Sequence, residues 1–220
     1  MAKLFKSEIT NKEKILGDVR NAVIEKQEAL FQDIDQRTDT WVPIEEEIGT
    51  AVTFVQNFKN EGGIFVYLDT ENDFAECLKQ LAPENGWEPL WCTSPIIQLL
   101  LKQYDIPFTE TPNPDLMQKR ASITDCECLV AQTGSIVLSE AMTHSREIYA
   151  ATDVLLVVAH THQIVDNMKD VFIKLKGKYD DDNPSQLVVI TGPSRTTDIE
   201  QILITGVHGA RQVAVFLLGS

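Results

Sequence analysis

Two polar clusters near the carboxyl end of the sequence could bind or transform a ligand. Ser194-Arg195-Thr196-Thr197-Asp198 follows an apolar run, and Gly206-Val207-His208-Gly209 comes shortly after it. The first cluster offers hydroxyl groups, backbone N–H groups and a guanidinium, which binds a carboxylate or phosphate through two parallel hydrogen bonds. His208 could exchange a proton with a ligand, and its flanking glycines would let the backbone approach that ligand closely.

Each cluster also has a purely structural interpretation. Residues 192–197 could form a turn and a helix N-cap, with Arg195 paired to Asp198 or Glu200. Asp198 and Glu200 could act as an acid/base pair, but a carboxylate at a helix start with a solvated neighbour is the simpler interpretation. His208 could be satisfied within a turn. The residue types alone leave both interpretations open.

The cysteine and histidine spacings do not predict a metal centre. Cys126 and Cys128 form a C-x-C pair, whereas iron–sulfur clusters take four thiolates, and the other two cysteines are scattered. His160 and His162 alternate without a motif that supplies a third ligand. The sequence therefore predicts no iron–sulfur cluster and no metal in this chain, and it leaves other cofactors unknown.

The charge balance argues against several classes of partner. The 220 residues include 33 acidic and 19 basic side chains, a net charge of −14. This balance disfavours nucleic acid and anionic membranes, because phosphate binding depends on clustered cations. The longest apolar run, at 154–159, is too short to cross a bilayer, and the N-terminus lacks the apolar region of a signal peptide. We therefore expect a cytoplasmic protein with reduced thiols.

Apolar runs alternate with helical patterns from residue 61 onward. Runs at 63–69, 153–160 and 213–219 predict strands, with amphipathic helices between strands. This alternation predicts an α/β fold with one central, mostly parallel sheet flanked by helices. Because the first 60 residues show only helical spacing, including a helix from about 11 to about 35, we expect a helical N-terminal segment over 1–60 and an α/β domain over 61–220.

Two polar segments follow predicted strands and should lie where ligands bind. In open α/β sheets, ligands sit beyond the carboxyl ends of the strands. Thr191–Asp198 follows the strand predicted within 185–192, and Gln132–Ser135 lies in a hairpin predicted over 127–139 of the same sheet. We expect Arg195 and His208 to lie close together at one end of the sheet.

The same residues resemble a known family. The stretch GPSRTTDIEQILITGVHGARQVAVFLL (192–218) is similar to the C-terminal signature of the lactate-utilisation (LUD) domain family, in particular its C-type members. The stretch VAQTGSIVLSE (130–140) looks like the family's strand–turn–strand. The resemblance is specific over about 120–220 and only general over the first hundred residues.

This resemblance implies a fold, a role and a site. The fold would be similar to that of ribose-5-phosphate isomerases, glucosamine-phosphate deaminases and coenzyme A transferases. The role would be that of the C-type subunit in a system oxidising L-lactate to pyruvate, which binds a small anionic ligand or its iron–sulfur partner subunits. The implied ligand-binding residues are Thr133, Gly134, Gly192, Ser194, Arg195, Asp198, Glu200, His208 and Gly209.

The sequence departs from the family pattern at three positions. Gln132 replaces a common glutamate, Thr197 a common alanine and Ala210 a common proline. Related transferases use a glutamate as nucleophile, and glutamine is a poor one, so Gln132 counts against covalent acyl transfer. The sequence does not decide whether the chain is an enzyme. Two alternatives stay open: a transferase or ligase acting on a coenzyme A-linked or phosphorylated substrate, and a non-catalytic regulatory module.

Overall fold

Two units divide the chain, residues 1–42 and residues 43–220. The computed structural model describes residues 13–16, 20, 44, 49–111, 121–180, 182–197, 203–206 and 209–219. Residues 13–16 and 20 are helical, and the rest of the helix predicted over about 11–35 lies outside the described residues. The domain boundary predicted at residue 60 stays a prediction. None of the described helices is long and apolar enough to cross a membrane.

The described part of the second unit contains five helices and twelve strands. The helices are α1 (Thr50–Asn60), α2 (Glu71–Asn85), α3 (Pro95–Gln103), α4 (Glu140–Thr143) and α5 (Met168–Tyr179). The strands are β1 (Ile64–Leu68), β2 (Leu90–Trp91), β3 (Phe108–Thr109), β4 (Ala121–Asp125), β5 (Cys128–Val130), β6 (Ser135–Ser139), β7 (Val154–His160), β8 (Ile164–Val165), β9 (Leu187–Ile190), β10 (Arg195–Thr197), β11 (Leu203–Thr205) and β12 (Gln212–Leu218).

Local sequence signals set the helix boundaries. Ser94 caps α3, with Pro95 at its first position, as the Ser-Pro pair predicts. Thr70 caps α2 in a capping box with Asp73. Pro83 lies inside the last turn of α2, and Gly86 ends the helix in the left-handed conformation.

The central sheet has six strands in the order β1-β12-β7-β4-β2-β3, and every pair is parallel. Its inner strands are buried on both faces. In β12, Val213 and Val215 pack into the cluster on one face, and Ala214 and Phe216 pack into the cluster on the other. This alternation follows from the two-residue period of a strand. The predicted mostly parallel α/β fold is confirmed.

Different layers cover the two faces of the central sheet. Helices α2 and α3 cover one face through Phe74, Leu78 and Ile97. Helix α1 covers the other face through Phe54 and Phe58, together with a second sheet in the order β8-β5-β6-β9. The far side of this second sheet packs against α5. The sheets therefore form successive layers of one core.

The additional sheets correct three expectations. The hairpin predicted over 127–139 exists, because β5 and β6 are antiparallel, but it belongs to the second sheet and not to the central one. The run at 187–190 also belongs to the second sheet, as the partly exposed edge strand β9. Residues 195–197, which could have formed a turn before a helix, instead form β10, antiparallel to β11.

Candidate functional site

The described residues of the predicted site lie near the carboxyl end of α1. We call Thr133, Gly134, Gly192, Ser194, Arg195 and Gly209 the motif surface. Asp198, Glu200 and His208 lie outside the described residues, so their place in the site, and the proximity of His208 to Arg195, stay predictions.

The turn after β5 is held tightly against α1. The side-chain amide of Asn57 donates to the carbonyl oxygens of Ala131, at 2.9 Å, and Gln132, at 3.1 Å. Gly134 has a φ of +62°, and a Cβ there would lie 2.3 Å from the backbone nitrogen of Phe58. Only glycine combines this backbone conformation with so close an approach.

A chain of hydroxyl groups links this turn to the segment after β9. The Oγ of Ser135 lies 2.7 Å from the Oγ1 of Thr133 and 2.7 Å from the Oγ1 of Thr191. The two segments that the sequence placed beyond strand ends therefore contact each other. Their contact is a hydrogen-bonded seam between neighbouring strands of the second sheet.

Arg195 binds the end of α1. Its Nη2 donates to the main-chain carbonyl of Glu61, and its Nη1 lies 3.8 Å from the Oε2 of the same residue. Gly192, with a φ of +75°, packs on the same carbonyl oxygen, which would lie 2.3 Å from a Cβ at that position. The side chains of Arg195 and Glu61 are 40% and 47% exposed, so solvent screens this ion pair.

Ser194 joins the two polar clusters of the sequence. Its N–H donates to the carbonyl of Ala210 at 2.8 Å, and its own carbonyl accepts from the N–H of Gly206 at 2.9 Å. A Cβ on Gly209 would lie 3.4 Å from the Cβ of Ser194. The described parts of both clusters are therefore neighbours.

The motif surface lies at the amino end of the central sheet. Glu61 precedes β1, and Ala210 precedes β12. Its segments do follow the carboxyl ends of strands, as predicted, but those strands are β5 and β9 of the second sheet. Applied to the central sheet, the rule that ligands bind beyond the carboxyl ends of parallel strands selects a different place.

At the carboxyl end of the central sheet there is a pocket of about 240 Å³. Asp125 ends β4, and Ser94 follows the adjacent strand β2. Within the central sheet, β2 is followed by β3 on one side, and β4 is followed by β7 on the other side. The chain therefore leaves the two neighbouring strands in opposite directions. This is the topological switch point at which open α/β sheets form their ligand crevice. The acidic pocket, as we call it, is lined by Ser94, Asp125, Met142, His144, Lys178 and Tyr179, among others.

A buried carboxylate orients one wall of the acidic pocket. Glu127 accepts hydrogen bonds from the Oγ of Ser139 at 2.5 Å, the hydroxyl of Tyr179 at 2.6 Å and the Nζ of Lys178 at 2.8 Å. The Glu127 side chain is 2% exposed, whereas that of Lys178 is 45% exposed. Glu127 therefore fixes the ammonium of Lys178 at the edge of the pocket.

Asp125 is a buried acid that lines the same pocket. Burial raises the pKa of its carboxyl, the Ser94 hydroxyl bonded to it acts in the opposite direction, and the charge of Glu127 raises it further. Lys178 partly offsets this rise. A carboxyl in such surroundings exchanges a proton closer to neutral pH than a surface aspartate does.

The sequence pattern does not predict the acidic pocket, because it does not predict β4. The segment Ala121–Asp125 alternates small or branched side chains with hydroxyl groups, and only Ile123 is large and apolar. The available signal was the Asp125-x-Glu127 pair between that segment and the predicted hairpin.

The buried thiols are not arranged for metal binding. Among the residues that the structure describes, no group of three or more histidine, cysteine or acidic side chains could hold a metal ion. Burial raises the pKa of the Cys92 thiol to about 12 and that of Cys126 well above its usual value. Both thiols are therefore protonated at neutral pH.

Comparison with known proteins identifies relatives over part of the chain. A protein from Bacillus licheniformis named Lactate utilization protein C is 28% identical over 46% of this chain and 43% of the relative. Another of the same name, from Deinococcus radiodurans, is 27% identical over 48% of this chain and 49% of the relative. An uncharacterised Escherichia coli protein, YkgG, is 29% identical over 46% of this chain and 44% of its own length. The chain spans about half the length of these curated relatives.

A solved structure shares the fold. The crystal structure of a DUF162 family protein from Deinococcus radiodurans superposes with a TM-score of 0.55 at 18% identity, over 80% of this chain and all of that one. The LUD domain model matches residues 52–218, a range that contains both the motif surface and the acidic pocket. The chain therefore belongs to the LUD domain family.

Proposed function

We propose that this chain is the C-type component of a cytoplasmic lactate-utilisation system that oxidises L-lactate to pyruvate. In this role it binds a small anionic ligand or a partner subunit and carries no redox centre itself. The observation that carries the proposal is the family match over 52–218, joined to the name Lactate utilization protein C of two relatives.

The motif surface is the proposed contact for an iron–sulfur partner subunit. Gly134 and Gly192 bring two segments against the end of α1, and Gly209 packs on Ser194 of the second segment, which gives a fixed backbone surface. The exposed Arg195 and Glu61 lie on that surface as a screened pair, and such a pair can exchange partners at an interface at small cost. In this proposal the predicted site residues recognise a protein surface, and electron transfer takes place on the partner.

Acyl transfer at position 132 is not favoured. The backbone of Gln132 is held at both polar atoms, because its N–H donates to the carbonyl of Asp166 at 3.0 Å and its carbonyl accepts from Asn57. A side-chain amide is a poor nucleophile. A transferase or ligase that forms a covalent intermediate would therefore need another residue.

Genetic complementation tests the proposed function. A bacterial host that lacks its own C-type protein, and so does not grow on L-lactate, receives this chain with the iron–sulfur subunits of the same source. We expect growth on L-lactate, and we expect the tagged chain to capture those subunits from the same cells. Absence of both growth and capture, with the chain present in folded form, would contradict the proposal.

A matched pair of variants links that outcome to the motif surface. Arg195→Glu places a carboxylate beside Glu61, whereas Arg211→Glu changes another exposed arginine in the same loop region. We expect the Arg195 variant to lose capture of the partner and the Arg211 variant to retain more of it. Equal capture by the two variants would remove the motif surface from the proposed interface.

A further inference from the structure

We propose that the acidic pocket binds a small 2-hydroxycarboxylate, with the hydroxyl group on Asp125 and the carboxylate on Lys178. The place of the site is argued from the geometry of the pocket alone. The choice of L-lactate as the first probe rests on the proposed function.

The position and size of the pocket favour a small metabolite. It lies between the carboxyl ends of β2 and β4, where the chain connections diverge. Its volume of about 240 Å³ is below the range of about 300–1,000 Å³ that is typical of sites for drug-sized ligands. A nucleotide or coenzyme A would extend far outside it, whereas a three-carbon acid would fit within its volume.

The lining of the pocket carries an acidic and a basic group. Asp125, only 7% exposed, supplies carboxyl oxygens at the end of β4. Lys178, on the last turn of α5, supplies an ammonium whose position is fixed by Glu127 at 2.8 Å. A ligand with an anionic group at one end and a hydroxyl group at the other satisfies both residues. Because Glu127 holds Lys178 before the ligand arrives, little side-chain freedom is lost on binding.

The hydroxyl group should decide selectivity. A site that hydrogen-bonds a substrate hydroxyl favours that substrate over an analogue that lacks the group. Asp125 is only 7% exposed and already interacts with the hydroxyl of Ser94, and the hydroxyl group of the ligand would add a further hydrogen bond to the same carboxyl group. Propionate, which has the carboxylate of lactate without the hydroxyl group, should therefore bind much more weakly than lactate.

Titration calorimetry on the purified chain tests these contacts with L-lactate, propionate and L-alanine as probes. We expect L-lactate to bind about ten- to a hundred-fold more tightly than propionate. Equal binding of the two acids would overturn the assignment of the hydroxyl group to Asp125. Tighter binding of L-alanine would overturn the ligand class, because an ammonium would then be the preferred group. No binding of any probe would overturn the site.

Variants of the pocket wall test whether L-lactate binds in the acidic pocket. Lys178→Met should weaken L-lactate binding about ten- to a hundred-fold, whereas Lys176→Met, on the exposed side of the same helix, should not change it. Because Lys178→Met also removes a partner of buried Glu127, Ala141→Phe provides a second variant. Ala141 is an exposed residue of α4 that lines the pocket, so a phenyl ring at this position takes up pocket volume without removing a charged group. Unchanged lactate affinity in folded Ala141→Phe protein would overturn the proposal.

The two proposals fail in different ways. Lactate binding that depends on Lys178, without complementation, would leave the pocket proposal standing and remove the proposed function. Complementation by a chain that binds none of the three acids would keep the proposed function and remove the pocket proposal.

Discussion

The two ends of the central sheet use charged and polar groups for different purposes. At the amino end, Arg195 contacts a half-exposed carboxylate and a main-chain carbonyl, and glycines fill the remaining space with close backbone contacts. At the carboxyl end, Lys178 contacts a buried carboxylate beside an open pocket of about 240 Å³. The described residues of the glycine-rich motif surface are thus tightly packed, whereas the acidic pocket at the other end of the same sheet leaves space between its lining residues.

The largest expected effect comes from adding a methyl group where Gly134 of the motif surface packs against α1. Gly134→Ala forces an L-residue into a φ of +62° and places its Cβ 2.3 Å from the nitrogen of Phe58. The backbone penalty and the overpacking should together lower the free energy of unfolding by about 3 kcal/mol. Urea unfolding, followed by circular dichroism, measures the loss.

Gly177→Ala is the matched control for that change. Gly177 lies inside α5, and a Cβ there would meet no atom within 4 Å. Alanine should raise the free energy of unfolding by about 0.5–1 kcal/mol, because it restricts the unfolded chain. Equal effects of the two substitutions would show that the motif surface is not tightly packed.

The second-largest expected effect concerns Glu127, which orients the wall of the acidic pocket. Tyr179→Phe removes one of three donors from the buried carboxylate of Glu127. Loss of a hydrogen bond to a charged group should lower the free energy of unfolding by about 1.5–3 kcal/mol. Tyr67→Phe, at a side chain that is 54% exposed, should change it by less than about 0.5 kcal/mol. Similar losses in both variants would mean that Glu127 does not depend on Tyr179.

A pH series tests the burial of Asp125. Burial raises the pKa of its carboxyl in the folded state, so the folded protein holds this proton more tightly than the unfolded chain. Stability from this group is therefore complete at low pH and is lost as pH rises from the unfolded value of about 3.9 through the folded pKa. The loss amounts to about 1.4 kcal/mol for each unit by which folding raises the pKa.

The variant Asp125→Asn lacks the titrating carboxyl group, so its comparison with the parent protein isolates the contribution of Asp125. The free energy of unfolding of the parent minus that of the variant should decrease as pH rises above about 4. Carboxylates that do not interact with Asp125 titrate alike in both proteins and cancel in the difference. A difference that does not change with pH would show that Asp125 is not in a desolvating environment.

The smallest expected effect is that of Arg195→Lys. The substitution keeps the charge but loses the guanidinium geometry at Glu61, and for a solvent-screened pair it should cost less than about 1 kcal/mol. Binding of L-lactate to the acidic pocket should stay unchanged, as calorimetry would show. A ten- to a hundred-fold loss of lactate affinity would reverse the comparison and place the anion at the motif surface.

The elements that the sequence predicted well are those with local causes. The runs at 63–69, 153–160 and 213–219 are strands of the central sheet. Continuous apolar sequence suits the inner strands β7 and β12, which are buried on both faces, and the edge strand β1 carries the same pattern although it is partly exposed. Ser94 and Pro95 begin α3 because capping involves only the residues next to them. The resemblance of the carboxyl-terminal half identified the family, and thereby the fold class.

The tertiary structure alone decided which sheet each strand joins and where the acidic pocket lies. The sequence does not predict strand β4, because its buried polar side chains depend on partners far away in the chain. Ser122 donates to the carbonyl of Ile148 at 2.8 Å, and Asp125 interacts with Ser94. A buried polar group without a partner is destabilising, so such a strand forms only where the fold supplies one. The sequence by itself determined the local elements and the family, whereas the acidic pocket depends on pairings between segments far apart in the chain, which no local pattern encodes.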